Sequence, residues 1–223
     1  MLGYSLKIFW IFLIACSASL MLLMFFGVWQ MMRLRGKSPE EKLAMLRRIK
    51  ASGGWTAGHA VNESKILNRL SRHKEALLAL AAADPRTLSD KTACCLAKAD
   101  TYICLNKPGE AAKILKAGDG ETSAGAFRFR YERSLIRAKL CLAQNDAENA
   151  IASLRKAKRI YAKDPHHTLL LAKYDFLIKD YAAASQKAAR LLASCNEPYI
   201  AGEASALAAD IRRRSAVENR TPC

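Results

Sequence analysis

Four stretches of this chain carry small residues at matching positions, and this spacing constrains the fold more than any other feature of the sequence. One alanine in each stretch follows the previous one by 35, 39 and 34 residues; the four are Ala76, Ala111, Ala150 and Ala184. Twelve residues before each lies a second small residue: Ser64, Ala99, Ala138 or Ala172. Four residues after each comes Leu80, Leu115, Leu154 or Ala188. We interpret each unit as a helical hairpin whose two helices cross at small residues and pack a larger one into the core.

Breaks between the helices are predicted where polar and turn-forming residues interrupt the apolar pattern. They fall at Ser71-Arg72, Asn106-Lys107-Pro108, Gln144-Asn145-Asp146 and Lys179-Asp180. The 39-residue interval predicts an insertion between Gly118 and Phe127. Glycine and proline number only 11 and 6, and no sustained alternating Val/Ile/Thr run occurs. The composition therefore predicts an all-α fold.

A helix pair repeated about every 34 residues resembles the tetratricopeptide (TPR) family. The paired small residues carry the resemblance over residues 57–198, together with Tyr102 and Tyr181 at positions that the family often gives to aromatic residues. The tryptophan of the family consensus is missing, and its turn glycine is replaced by asparagine or lysine. The resemblance implies an α-solenoid of about four TPR-like hairpins. Residues 199–216 are predicted to form a capping helix, and residues 217–223 a tail.

The N-terminal region is the most apolar part of the chain. From Ile8 to Met32, 25 consecutive residues carry no charge, and as a helix they would span about 37 Å, enough to cross a bilayer. Trp10 and Trp29 would then lie at the two membrane interfaces. We predict a single transmembrane helix within residues 1–35. A cleaved signal peptide is the alternative reading, but the apolar run is longer than a usual signal core.

The residues after this run are basic, which predicts the orientation of the anchor. Arg33, Arg35 and Lys37 follow it, whereas only Lys7 precedes it. The positive-inside rule then places the N-terminus outside and the repeats in the cytoplasm, as for a bacterial inner-membrane protein. Residues 36–56 are predicted to form a basic juxtamembrane helix and linker. An odd count of seven cysteines also favours a reducing compartment.

The TPR resemblance implies a concave groove lined by the first helix of each hairpin. The candidate groove residues are Lys65, Asn68, Arg69, Asp100, Lys139, Lys173 and Phe176. Cations beside apolar neighbours would suit an acidic or amphipathic segment of a protein partner, or another subunit of a membrane complex. Alternatively, these lysines are solvated residues on helices whose apolar side is core. The net charge of +16 also favours contact with anionic lipid.

The sequence contains no pattern that indicates catalysis, a cofactor or a metal. His166 and His167 are the only adjacent pair among four histidines, and we expect no metal there. A second basic cluster comprises Arg155, Lys156, Lys158, Arg159 and Lys163, and cations also adjoin aromatic residues at Phe127-Arg128 and Arg130-Tyr131. Since carboxylates are interspersed, we interpret this cluster as a solvated face and do not expect nucleic acid as the partner.

These features together predict a membrane-anchored scaffold or adaptor that binds a protein partner through its groove, as a structural or assembly component. Three alternatives stay open. In the first, the solenoid is an exported, periplasmic assembly or chaperone-like factor. In the second, the chain is an organelle import receptor with a similar layout. In the third, it is a membrane-tethered nucleic-acid binder.

Overall fold

A computed structural model describes residues 21, 38–118, 127–161 and 163–218 of the chain. Every regular element in these ranges is a helix, which confirms the all-α class. The helices are α1 (Pro39–Ala51), α2 (Ala57–Arg69), α3 (His73–Ala81), α4 (Leu88–Cys104), α5 (Pro108–Ala117), α6 (Phe127–Ala143), α7 (Ala147–Ile160), α8 (Pro165–Leu177), α9 (Tyr181–Ser194) and α10 (Pro198–Glu218).

The predicted membrane anchor, residues 1–35, lies outside the described residues apart from Met21. The same holds for the predicted interface residues Trp10, Trp29, Arg33, Arg35 and Lys37. Among the helices of the described ranges, none combines the length and the apolar character needed to cross a membrane.

The chain divides into two compact units, Met1–Ala51 and Ser52–Cys223. In the first unit, α1 begins with a capping box. The Ser38 amide donates to the Glu41 carboxylate (3.0 Å), and the Glu41 amide donates to the Ser38 hydroxyl (3.2 Å). These reciprocal bonds satisfy two backbone donors that a helix start leaves without partners. Leu43 of this helix is buried.

In the second unit, α2 to α9 form four successive helical hairpins, and the two helices of each hairpin contact each other more extensively than helices of different hairpins do. The predicted crossing residues have no exposed surface: Ser64, Ala76, Ala99, Ala111, Ala138, Ala150, Ala172 and Ala184. The residues one turn later are also buried: Leu80, Leu115, Leu154 and Ala188. The pattern of small residues therefore predicts the helix crossings correctly, because only a small side chain lets two helix backbones approach this closely.

The same turn joins the two helices of every hairpin. Its left-handed residue is Ser71, Asn106, Asn145 or Lys179, with φ of 58°, 56°, 59° and 65° respectively. In hairpin 1 the Arg72 amide bonds to the Leu67 carbonyl at 2.8 Å, and hairpin 4 repeats this bond between Asp180 and Asp175 at 2.8 Å. This is the Schellman arrangement, which ends a helix by satisfying its last carbonyls. Thus all four predicted breaks are helix ends of one kind.

Successive hairpins share apolar clusters, so that the core runs along the array. Leu96, Ala111 and Leu140 join hairpin 2 to hairpin 3, and Ala138, Leu154 and Leu170 join hairpin 3 to hairpin 4. Helix α10 closes the end of this core, with Ile200 and Ala204 packed against Leu169 and Leu191 of hairpin 4.

Two boundaries differ from the sequence predictions. Helix α10 begins one residue earlier than predicted, at Pro198, and continues to Glu218. The helix therefore extends two residues into the predicted tail, and no proline lies between Pro198 and Pro222. Residues 219–223 lie outside the described residues, and so does most of the predicted insertion, at 119–126.

Candidate functional site

The inner faces of the first helices enclose a cleft of about 220 Å³ along the hairpin array. Helices α2, α4, α6 and α8 each contribute side chains, and the start of α10 contributes Tyr199 and Glu203. Six of the seven predicted groove residues line this cleft: Lys65, Asn68, Arg69, Asp100, Lys139 and Lys173. We refer to this cleft as the groove.

The seventh predicted groove residue, Phe176, lies in an adjoining pocket of about 610 Å³ nearer the C-terminal end. Lys139, Lys173 and Tyr199 line both cavities, so that the pocket continues the groove. The Phe176 ring is partly buried and lies 5.7 Å from the Tyr181 ring, measured between centroids. Phe176 therefore forms part of the pocket wall and does not present an exposed ring to a partner.

Each predicted groove cation is paired with a carboxylate from another part of the array. Lys139 on α6 donates to Asp100 on α4 at 2.6 Å. Lys65 on α2 reaches Glu132 on α6 at 3.0 Å. Lys173 on α8 pairs with Glu203 on α10, and Arg69 on α2 lies 3.5 Å from Glu197, just before α10. The groove therefore presents alternating charges in pairs, not a run of free cations.

The Lys139–Asp100 pair lies deepest among these contacts. Burial opposes the charged form of Lys139, but the Asp100 carboxylate outweighs this effect and raises the pKa of the ammonium above its ordinary value. The Lys139 ammonium consequently stays charged across the physiological pH range. The two side chains are 30% and 25% exposed, so the pair is only partly shielded from solvent.

Asn68 has a structural role at the edge of the groove. Its amide nitrogen donates to the Thr101 hydroxyl at 2.9 Å, and its amide oxygen lies 3.1 Å from a ring nitrogen of His73. The Thr101 hydroxyl in turn donates to the Ala97 carbonyl at 2.8 Å. Asn68 thus ties the two helices of hairpin 1 to the first helix of hairpin 2.

Several groove residues were not among those predicted: Cys104, Glu132, His166, Tyr199 and Glu203. Glu132 precedes Lys139 by seven residues, two helical turns, so that helical periodicity could have placed it on the same face. Tyr199 and Glu203 carried no comparable signal, because the sequence indicated only that their helix would cap the array.

His166 and Cys104 are two titratable groups of the groove that carry no charge at neutral pH. Burial lowers the pKa of His166 below its ordinary value, although the Asp164 and Glu197 carboxylates nearby act in the opposite direction. Burial raises the pKa of the Cys104 thiol, which disfavours the reactive thiolate. Neither group has the environment of an activated base or nucleophile.

Within the described ranges, no three His, Cys, Asp or Glu side chains come together as ligands for a metal ion. The five cysteines of these ranges, Cys94, Cys95, Cys104, Cys141 and Cys195, are free thiols. The chain was also compared with protein-family models, curated proteins and solved structures, and none of the three comparisons gave a match.

Proposed function

We propose that this chain is a membrane-anchored, TPR-like scaffold that holds a segment of a protein partner in its groove. The observation that carries the proposal is the groove itself, which runs along the first helices of four hairpins. A cleft that stays open along four hairpins accommodates an extended or helical segment of a protein partner.

The lining of the groove favours an amphipathic segment over a strongly acidic one. Leu96, Leu135 and Ile136 provide an apolar floor, whereas the lysines beside them are neutralised by carboxylates. An apolar side chain can be buried on this floor while polar groups of the partner align with the paired charges. Another subunit of a membrane complex would meet the same requirements. The proposal involves no catalysis, no cofactor and no nucleic acid.

Exchanging the charges of one groove pair tests the use of the groove. The double variant Asp100→Lys/Lys139→Asp keeps an ion pair but reverses its direction, so we expect the fold to persist and capture of the partner to fall at least tenfold. The measurement is quantitative recovery of cross-linked partner from cells, with the melting temperature of each variant recorded. Reversing one member alone is a poor test, because it would leave two like charges together.

The matched control is Glu110→Lys/Lys113→Glu on α5, which reverses an exposed pair (2.8 Å) away from the groove. We expect this control to capture the partner normally. If the groove variant and the control retain or lose the partner equally, the groove is not the binding site.

The proposed orientation can be tested with a thiol reagent that does not cross membranes. We expect Cys223 to resist a membrane-impermeant maleimide in intact cells and to react after lysis, since the proposal places the repeats in the cytoplasm. Labelling of intact cells would instead support the exported, periplasmic alternative. Attachment to an organelle surface, the import-receptor alternative, is distinguished by fractionating a eukaryotic host.

A further inference from the structure

One end of hairpin 3 exposes aromatic and basic side chains together. Phe127 begins α6 and is 58% exposed, and Tyr161 follows α7 and is 54% exposed. The two are linked through Tyr131, one turn after Phe127, whose ring meets the Tyr161 ring edge-on at 5.9 Å. Exposed apolar groups that form a contiguous patch rimmed by polar residues mark surfaces that make contact with a partner or a membrane.

Cations surround these two rings. Arg130 lies over the face of the Phe127 ring, 5.8 Å from its centroid. Lys158 and Arg159 are exposed on the last turn of α7, and Lys163 is exposed just beyond Tyr161. We call this surface the basic aromatic edge; it comprises Phe127, Arg130, Lys158, Arg159, Tyr161 and Lys163.

In contrast to the groove cations, the four cations of this edge form no ion pair with any residue that the structure describes. The two carboxylates adjoining the edge residues in sequence are already engaged. Glu132 accepts from Lys65 at 3.0 Å, and Asp164 accepts from the Tyr131 hydroxyl at 2.6 Å and from the His166 amide at 2.9 Å. The edge consequently carries a local positive charge that suits an external anion.

We propose that the basic aromatic edge docks on the surface of an anionic phospholipid bilayer. Lysine and arginine bind the phosphates of such a surface, and aromatic side chains favour the depth of the headgroups, so that the two residue types reinforce each other. The uncharged run Ile8–Met32, which we expect to be inserted, would keep the edge close to lipid. Nucleic acid is a weaker candidate, since Arg130 occupies one face of the Phe127 ring on which a base would stack. This inference does not depend on the groove.

The test uses the full chain in proteoliposomes, with a photo-cross-linking amino acid placed at Phe127 or at Tyr161. Leu78 and Leu192, exposed on α3 and α9, provide matched control positions. The vesicles contain phosphatidylcholine alone or an equal mixture with phosphatidylglycerol. We expect lipid cross-links from the two edge positions in the anionic vesicles, several-fold above both controls and above the zwitterionic vesicles.

Charge-reversal variants complete the experiment. Lys158→Glu/Lys163→Glu should reduce the edge cross-links by about fivefold for each cation removed. The control Lys74→Glu/Lys116→Glu makes the same change in net charge at two exposed residues elsewhere. This control should leave the edge cross-links unchanged. Equal labelling at all four positions, labelling independent of headgroup charge, or failure of the chain to float with anionic vesicles would overturn the proposal. Transfer of the cross-link to an added oligonucleotide would identify a nucleic-acid surface instead.

Discussion

At the scale of single residues, the four inter-helix turns place residues other than glycine in a backbone conformation that glycine adopts most easily. Each turn needs one residue in the left-handed region, and the residues there are Ser71, Asn106, Asn145 and Lys179 rather than glycine. Asparagine tolerates this conformation because its short polar side chain bonds locally, whereas lysine has no such compensation. Lys179, with φ of 65°, is therefore the most strained of the four by residue type.

Replacing Lys179 with glycine should stabilise the fold. Glycine removes the steric cost of the left-handed conformation, and part of that gain is offset by its greater freedom in the unfolded chain. We expect the free energy of unfolding to rise by about 0.5–1 kcal/mol, measured by urea denaturation. Asn145→Gly should gain less. Lys179→Ala keeps the strain and serves as the control; a glycine variant no more stable than the alanine variant would contradict this account.

At the scale of helices, the sequence predicts much of the fold because one steric rule repeats. Wherever two helices cross closely, the crossing residue must be small, and that requirement is visible as alanine or serine at fixed intervals. The end of α10 could not be predicted in the same way. Its sequence contains no stop signal between Ile211 and Glu218, and intrinsic propensity alone does not fix where a helix frays.

The crossing of α6 and α7 should not tolerate a larger side chain. Ala150 has no exposed surface and lies where the two helices meet. We expect Ala150→Leu to lower the free energy of unfolding by about 1–3 kcal/mol, because the added atoms force the helices apart. Ala152→Leu, at an exposed position of the same helix, should change it by less than about 0.5 kcal/mol. Thermal and urea unfolding measure the stability of both variants. Equal stabilities would refute the rule that the crossing residue must be small.

At the scale of the whole molecule, α10 both closes the core and completes the groove. A chain ending at Glu197 would lose Ile200 and Ala204 from the terminal cluster, and Tyr199 and Glu203 from the groove. We expect hydrogen exchange in α8 and α9 to accelerate while that in α2 and α3 stays slow, since stability in a repeat array is largely local.

A chain ending at Ser215, which keeps the packed part of α10, is the control for this truncation and should retain full protection. Uniform loss of protection through all four hairpins would show that the array unfolds as one unit. Unchanged protection in α8 and α9 would show that α10 is not needed as a cap.

The charge pattern of the groove illustrates what the sequence does not contain. The predicted groove residues were found from helical register, which relates neighbours within a helix. Their partners Glu132, Glu197 and Glu203 lie on another hairpin, just before α10 and on α10, and the packing of the array brings them within reach. That packing depends on small rotations between successive hairpins, which no local pattern reports.

Two of these ion pairs join parts of the array that are not neighbours along it. Lys65–Glu132 passes over hairpin 2, and Arg69–Glu197 connects hairpin 1 to the start of α10. An open array of repeats extends elastically when its ends are pulled. Here two ion pairs also connect hairpin 1 to hairpin 3 and to the start of α10. Because both ion pairs are partly exposed, each contributes little to the free energy of folding. We therefore expect the array to resist small forces that separate its ends and to extend abruptly once both ion pairs break. Both pairs should form again when the force is removed.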